Sequence, residues 1–162
     1  MNISKTYEKI NNYLDNHIYD IKRADNVDGG SVYTTDGYIM YYLPDCSAWT
    51  ARPNQGQPRV LYDLYNSLFT DNYRRGKAMP GNIGNAAFIK ISNGPDGGNT
   101  YIKKRFTQLL PAKTDYYTIP EHGQKSPVLA GVYQNNTLHV FAVIMPYYVR
   151  NESDFIAKAA TV

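Results

Sequence analysis

The chain has 162 residues, of which 43% are hydrophobic and 19% charged, with a formal net charge of +3 and a pI near 8.8. This balance excludes a disordered chain and a block-basic DNA binder, while leaving room for an anionic partner. One cysteine, Cys46, excludes an intrachain disulfide and fits a reducing, cytoplasmic setting, and no apolar run approaches the roughly 20 residues of a membrane span.

Ile3, Tyr7, Ile10 and Leu14 recur at helical spacing, with Lys5, Glu8, Lys9 and Asn12 on other faces; this predicts an amphipathic helix. Residues 18–23 alternate and predict a short strand, broken at Asp28-Gly29-Gly30. Residues 32–35 and 38–43 read as a hairpin around Asp36-Gly37, a dipeptide that suits a type I′ turn. The second of these strands is apolar on both faces, which predicts an interior position, and Pro44 ends it.

Residues 45–58 are irregular. Val60, Leu61, Leu64, Tyr65 and Leu68 mark a second helix. Residues 72–84 read as a long loop carrying Arg74, Arg75 and Lys77 beside Tyr73, a second basic cluster for nucleic acid or an acidic protein. Residues 86–92 predict a strand, and Asn93 to Gly98 break it. Ile102, Phe106, Leu109 and Leu110 predict a third helix, capped by Asn99 or Thr100, with Lys103, Lys104 and Arg105 off the stripe. Residues 116–119 read as a short strand, residues 128–134 and 138–145 as a hairpin around Asn135-Asn136, and the tail after Arg150 as a terminal helix.

Two stretches look like copies. Each begins with Val-Tyr (Val32-Tyr33 and Val132-Tyr133), turns at polar residues and runs through apolar ones to a proline, Pro44 or Pro146. The expected fold is α+β: one domain of two pseudo-repeated halves with helices packed on antiparallel sheets. Its parts are residues 3–44, an insertion over 45–85, a second half over 86–149 and a tail over 150–162. Neither half is large enough to bury its own helix stripe. Tyrosine supplies much of the apolar material, with 16 Tyr against 5 Phe, which suits half-buried strands and binding surfaces.

Tyr33-Thr34-Thr35-Asp36-Gly37-Tyr38 resembles a strand-turn-strand segment of bacterial DNA polymerase sliding clamps, and Val143-Ile144-Met145-Pro146 resembles their final strand. The resemblance implies a clamp-domain-like fold, with the helix over residues 101–110 facing DNA. It also implies a replication-associated accessory protein, self-association, and capture of partner peptides in a surface groove. The small size fits a phage or mobile element. Lys5, Lys9, Lys103, Lys104 and Arg105 are then the residues available to meet phosphates. Clamps carry three such domains per chain, whereas this chain has room for one, and an arginine expected after Tyr38 is missing.

Two other readings stay open. One is a tyrosine-rich protein-binding module, such as an inhibitor of a host protein, that touches no DNA. The other is a cysteine hydrolase. Asp45-Cys46-Ser47-Ala48-Trp49 resembles the nucleophile segment of cell-wall-peptidase-type enzymes, with His139 as the base and His122 also downstream. Ala48 replaces that family's glycine, and Arg52-Pro53 would stop a helix early. No metal spacing or phosphate-cradling glycine pattern is present, so no cofactor is expected.

Overall fold

The computed structural model describes residues 2–46, 60–70, 72–95 and 97–158. In chain order these form α1 (Ile3–Asn16), β1 (Arg23–Val27), β2 (Gly30–Thr34), β3 (Ile39–Pro44), α2 (Val60–Thr70), β4 (Arg74–Arg75) and β5 (Lys77–Ile83). There follow β6 (Ala86–Ser92), β7 (Asn99–Lys103), β8 (Asp115–Thr118), β9 (Val128–Gln134), β10 (Thr137–Ile144) and β11 (Phe155–Ala157). The fold is α+β, with two antiparallel sheets among the described residues. A seven-stranded sheet runs β1-β2-β3-β10-β9-β8-β4, and a four-stranded sheet runs β11-β5-β6-β7.

The large sheet is covered on both faces. On one face α1 packs Tyr7, Ile10 and Leu14 against Tyr33, Tyr41, Leu43, Val132 and Phe141, and the small sheet adds Ile89, Ile91 and Ile102. On the other face α2 packs Leu61, Tyr65 and Leu68 against Val27, Val32, Met40, Val140 and Val143. A strand covered on both faces must be apolar throughout, and this is why β3 lies between β2 and β10. The small sheet's other face buries Phe88 and Tyr101 beneath Val149 and Phe155.

Strand β10 breaks its alternation once. Its register with β9 shifts between Val140 and Ala142, so Phe141 and Ala142 both face α1 while Val140 and Val143 face α2. The Tyr7 hydroxyl donates a buried 2.6 Å hydrogen bond to the Val140 carbonyl beside this bulge. Gly131 lies opposite Val140, and a Cβ there would run into the His139 carbonyl oxygen.

Helix α1 is capped by Asn2, whose Oδ1 accepts from the Lys5 N–H at 3.3 Å. Helix α2 is held from outside its own segment. The carboxylate of Asp25, buried on β1, accepts from the Tyr62 N–H at 3.0 Å in the helix's first turn. Replacing Asp25 with Ala is expected to lower stability by about 2 kcal/mol, since it leaves a first-turn donor without its charged acceptor. Urea denaturation measures this. An unchanged midpoint would mean that the apolar face alone holds α2.

Several expected elements differ. The helix over residues 102–110 is instead β7 followed by a 3-10 turn at Lys104–Thr107. Thr100, Tyr101 and Ile102 are all fully buried, Tyr101 on one face of the small sheet and Ile102 on the other, which a one-stripe helix does not achieve. Asn99 and Thr100 are therefore strand residues; the Thr100 hydroxyl donates to the Gly123 carbonyl at 2.8 Å. The loop over 72–84 is instead β4 and β5. Strand β5 is mostly exposed and contains Pro80, so its own residues carry little strand pattern. A seven-residue register with β6 makes it, and Pro80 falls just outside the stretch that β11 pairs.

The strand expected at 18–23 shifts to β1. Tyr19 is 99% exposed in a 3-10 turn, whereas Ala24, Asp25 and Val27 bury. The tail is a 3-10 turn and β11, with Ile156 exposed, rather than a helix; residues 159–162 lie outside the described set. Asn135 and Asn136 both take positive φ, 55° and 61°, as a type I′ turn requires, but at Asp36-Gly37 only Gly37 does. There an Asp36 carboxylate oxygen accepts instead from the N–H groups of Tyr38 and Ile39, at 2.8 and 3.2 Å, and delays the strand to Ile39.

Candidate functional site

The Asp36 turn lifts Tyr38 to the mouth of two adjoining cavities. The larger, about 420 Å³, has apolar walls from Ile39, Met40, Leu61, Leu64, Val143 and Met145, with Lys22 and Arg23 beside them. The smaller, about 210 Å³, lies among Tyr38, Lys103, Arg105, Phe106 and Met145 to Tyr147. Tyr38 and Met145 line both cavities, so the two form one groove. Its floor is fixed by the backbone: the Met145 N–H donates to the Tyr38 carbonyl at 2.8 Å, and Tyr147 N–H to the Tyr101 carbonyl at 2.7 Å.

The smaller cavity alternates rings with cations. Tyr38, 58% exposed, stacks on Phe106 with centroids 6.0 Å apart. The Arg105 guanidinium lies 4.8 Å from the Phe106 centroid, and the Lys103 Nζ lies 5.1 Å from that of Tyr147. Tyr147, 42% exposed, leans on Phe88 at 5.0 Å. Among the described residues lining the groove, Asp36 is the sole carboxylate, and one of its oxygens is already held by backbone N–H groups.

The eight basic residues picked out in the sequence fall in separate places. Lys103 and Arg105 line the groove, with Lys104 exposed between them. Lys5 and Lys9 are exposed in the first half of α1, away from both cavities. Arg74 and Arg75 form the edge strand of the large sheet and line a third cavity of about 440 Å³ with Asn93, Pro120 and Glu121. Lys77 lies on β5 opposite Ser92.

Cys46 is exposed two residues beyond the end of β3, and the rest of the irregular stretch expected over residues 45–58 lies outside the described residues. His139 is half-buried on β10 and shares a tyrosine-lined cavity of about 590 Å³ with Pro44, Tyr42 and Tyr65, of which Cys46 is not a lining residue. His122 is exposed in a 3-10 turn. Among the described residues, no group of three or more His, Cys, Asp or Glu side chains could hold a metal ion, and no helix is long and apolar enough to cross a membrane.

Sequence reasoning missed Tyr38, Met145, Tyr147, Lys22 and Arg23 as site residues. Each reads locally as a turn or strand residue, and only the pairing of β3 with β10 brings Tyr38 beside Met145. The chain matches no known family model, no curated protein and no solved structure.

Proposed function

We propose that the chain is a non-enzymatic binding protein whose groove receives an apolar segment of a partner protein. The larger cavity carries this reading. At about 420 Å³ it falls in the range of pockets that bury a ligand, its walls are mainly aliphatic, and cations stand at its edge. A partner segment with one or two aliphatic or aromatic anchors and flanking acidic residues fits those features.

The resemblance to sliding clamps supplies a process. The chain acts as a replication-associated accessory protein of a phage or mobile element. Two observations support this part. The two Val-Tyr hairpins lie side by side in one sheet through β3 and β10, and Met145-Pro146, on which the resemblance rests, borders the groove. Duplex DNA and self-association come with the resemblance, but the scattered basic residues make the groove the stronger lead.

Selection from a displayed random-peptide library tests the reading. Wild-type protein is expected to enrich apolar-acidic segments, and Leu64→Glu, checked for folding by thermal melting, to weaken the enriched peptides at least about tenfold, because it sets a charge in the apolar wall. Peptides that bind both forms equally, or no enrichment at all, would overturn it.

A further inference from the structure

The groove's smaller cavity has chemistry that an apolar peptide does not use. Two partly exposed tyrosine rings, Tyr38 and Tyr147, line it together with Met145 and Pro146. Lys103 stands over the Tyr147 ring itself and Arg105 over Phe106, the ring on which Tyr38 stacks, and Lys22 and Arg23 continue the positive charge along the larger cavity. Asp36 is the sole described carboxylate lining either cavity. A ligand matched to this surface has flat apolar faces at intervals and a negative charge between them.

We propose that this shelf binds single-stranded nucleic acid, with bases stacked on Tyr38 and Tyr147 and phosphates meeting Lys103 and Arg105. Stacking needs an unpaired base, because duplex bases already cover one another's faces. No Asn or Gln stands among the described lining residues, so the shelf lacks the amide forks that read adenine, and ring stacking carries the contact. The outcome is sequence-tolerant, salt-dependent binding of a short stretch of strand. An acidic peptide would satisfy the cations, but it offers no flat face to the two partly exposed rings.

Fluorescence anisotropy of a labelled oligothymidylate of about 15 nucleotides, titrated over a range of salt concentrations, tests this. Wild-type protein is expected to bind, with unlabelled duplex of the same length and polyglutamate both competing poorly. Replacing Lys103 and Arg105 together by Ala should reduce the log–log salt slope by about 1.4, the release expected for two phosphate contacts on a single strand. Tyr38→Ala, at an exposed ring, should weaken binding about tenfold with little change in slope, as loss of stacking does. Lys5→Ala with Lys9→Ala, two exposed cations elsewhere, should change neither quantity.

The idea is overturned if duplex competes equally, if polyglutamate displaces the oligonucleotide, or if the Lys5/Lys9 variant loses as much as the Lys103/Arg105 variant. It is also overturned if no binding is seen at low salt. Because Leu64 lies outside the shelf, failure here leaves the peptide result with Leu64→Glu standing, and the reverse holds too.

Discussion

Raising the pH from about 10 to about 11 is expected to unfold the protein steeply. Burial pushes the phenols of Tyr7, Tyr41 and Tyr65 well above the usual value of 10.0, and that of Tyr116 up to about 12. Nearby tyrosines add to the effect at Tyr7 and Tyr65, and Tyr13 and Asp36 add to it at Tyr41. In the unfolded chain these groups ionise near pH 10, whereas in the folded one they keep their protons. The stability they contribute is therefore whole below pH 10 and is lost as pH rises toward the folded values. Each withheld ionisation removes about 1.4 kcal/mol per pH unit, so one unit above 10 the four together remove about 6 kcal/mol. That is comparable with a typical folding stability of about 5 to 15 kcal/mol. Phenolate absorbance and far-ultraviolet circular dichroism, followed together, should show late ionisation coinciding with loss of structure. A full ionisation step near pH 10 with the dichroism intact would defeat the argument.

Phe141→Ala is expected to be the most damaging single core substitution near the bulge, at about 3 to 5 kcal/mol and about 10 °C in Tm. The ring is fully buried and meets Tyr7 edge-on at 5.4 Å. It reaches that position because the bulge turns it toward α1, and so its loss empties the junction of helix, bulge and the Tyr7 hydrogen bond. Neighbouring strands of the central sheet leave little room to collapse into the space. Tyr7→Phe keeps the ring and removes only the hydroxyl, so it should cost about 1 kcal/mol. Equal losses for the two variants would mean that the hydrogen bond, rather than the packing, carries the contact.

The elements that were legible in the sequence are those whose burial is written in their own residues. Residues 86–92, the Asn135-Asn136 hairpin and α1 carry a period or a turn dipeptide that pairing only confirms. Strand β7 misled because Ile102, Phe106, Leu109 and Leu110 happen to fall at helical spacing, while Thr100 and Tyr101 bury too and erase any strand alternation. Strand β5 was illegible for the opposite reason: it is exposed and borrows its conformation from β6. The groove was half legible. Lys103 and Arg105 stand out as cations in any reading, but their neighbours Tyr38 and Met145 come from the two ends of the chain. Nothing local to either announces the other.

That pairing of β3 with β10 also sets a schedule for synthesis. Tyr41 and Ala142 are partners roughly a hundred residues apart, at the centre of the large sheet. While the chain emerges from the ribosome, the first hairpin and α1 must wait with one strand edge unpaired until roughly a hundred further residues have followed. Loop closure over that length is entropically costly, so folding should be slow relative to chains of the same size built from local contacts. The groove, lined by Ile39 and Met40 of β3 and by Val143 of β10, is completed only when these two strands pair.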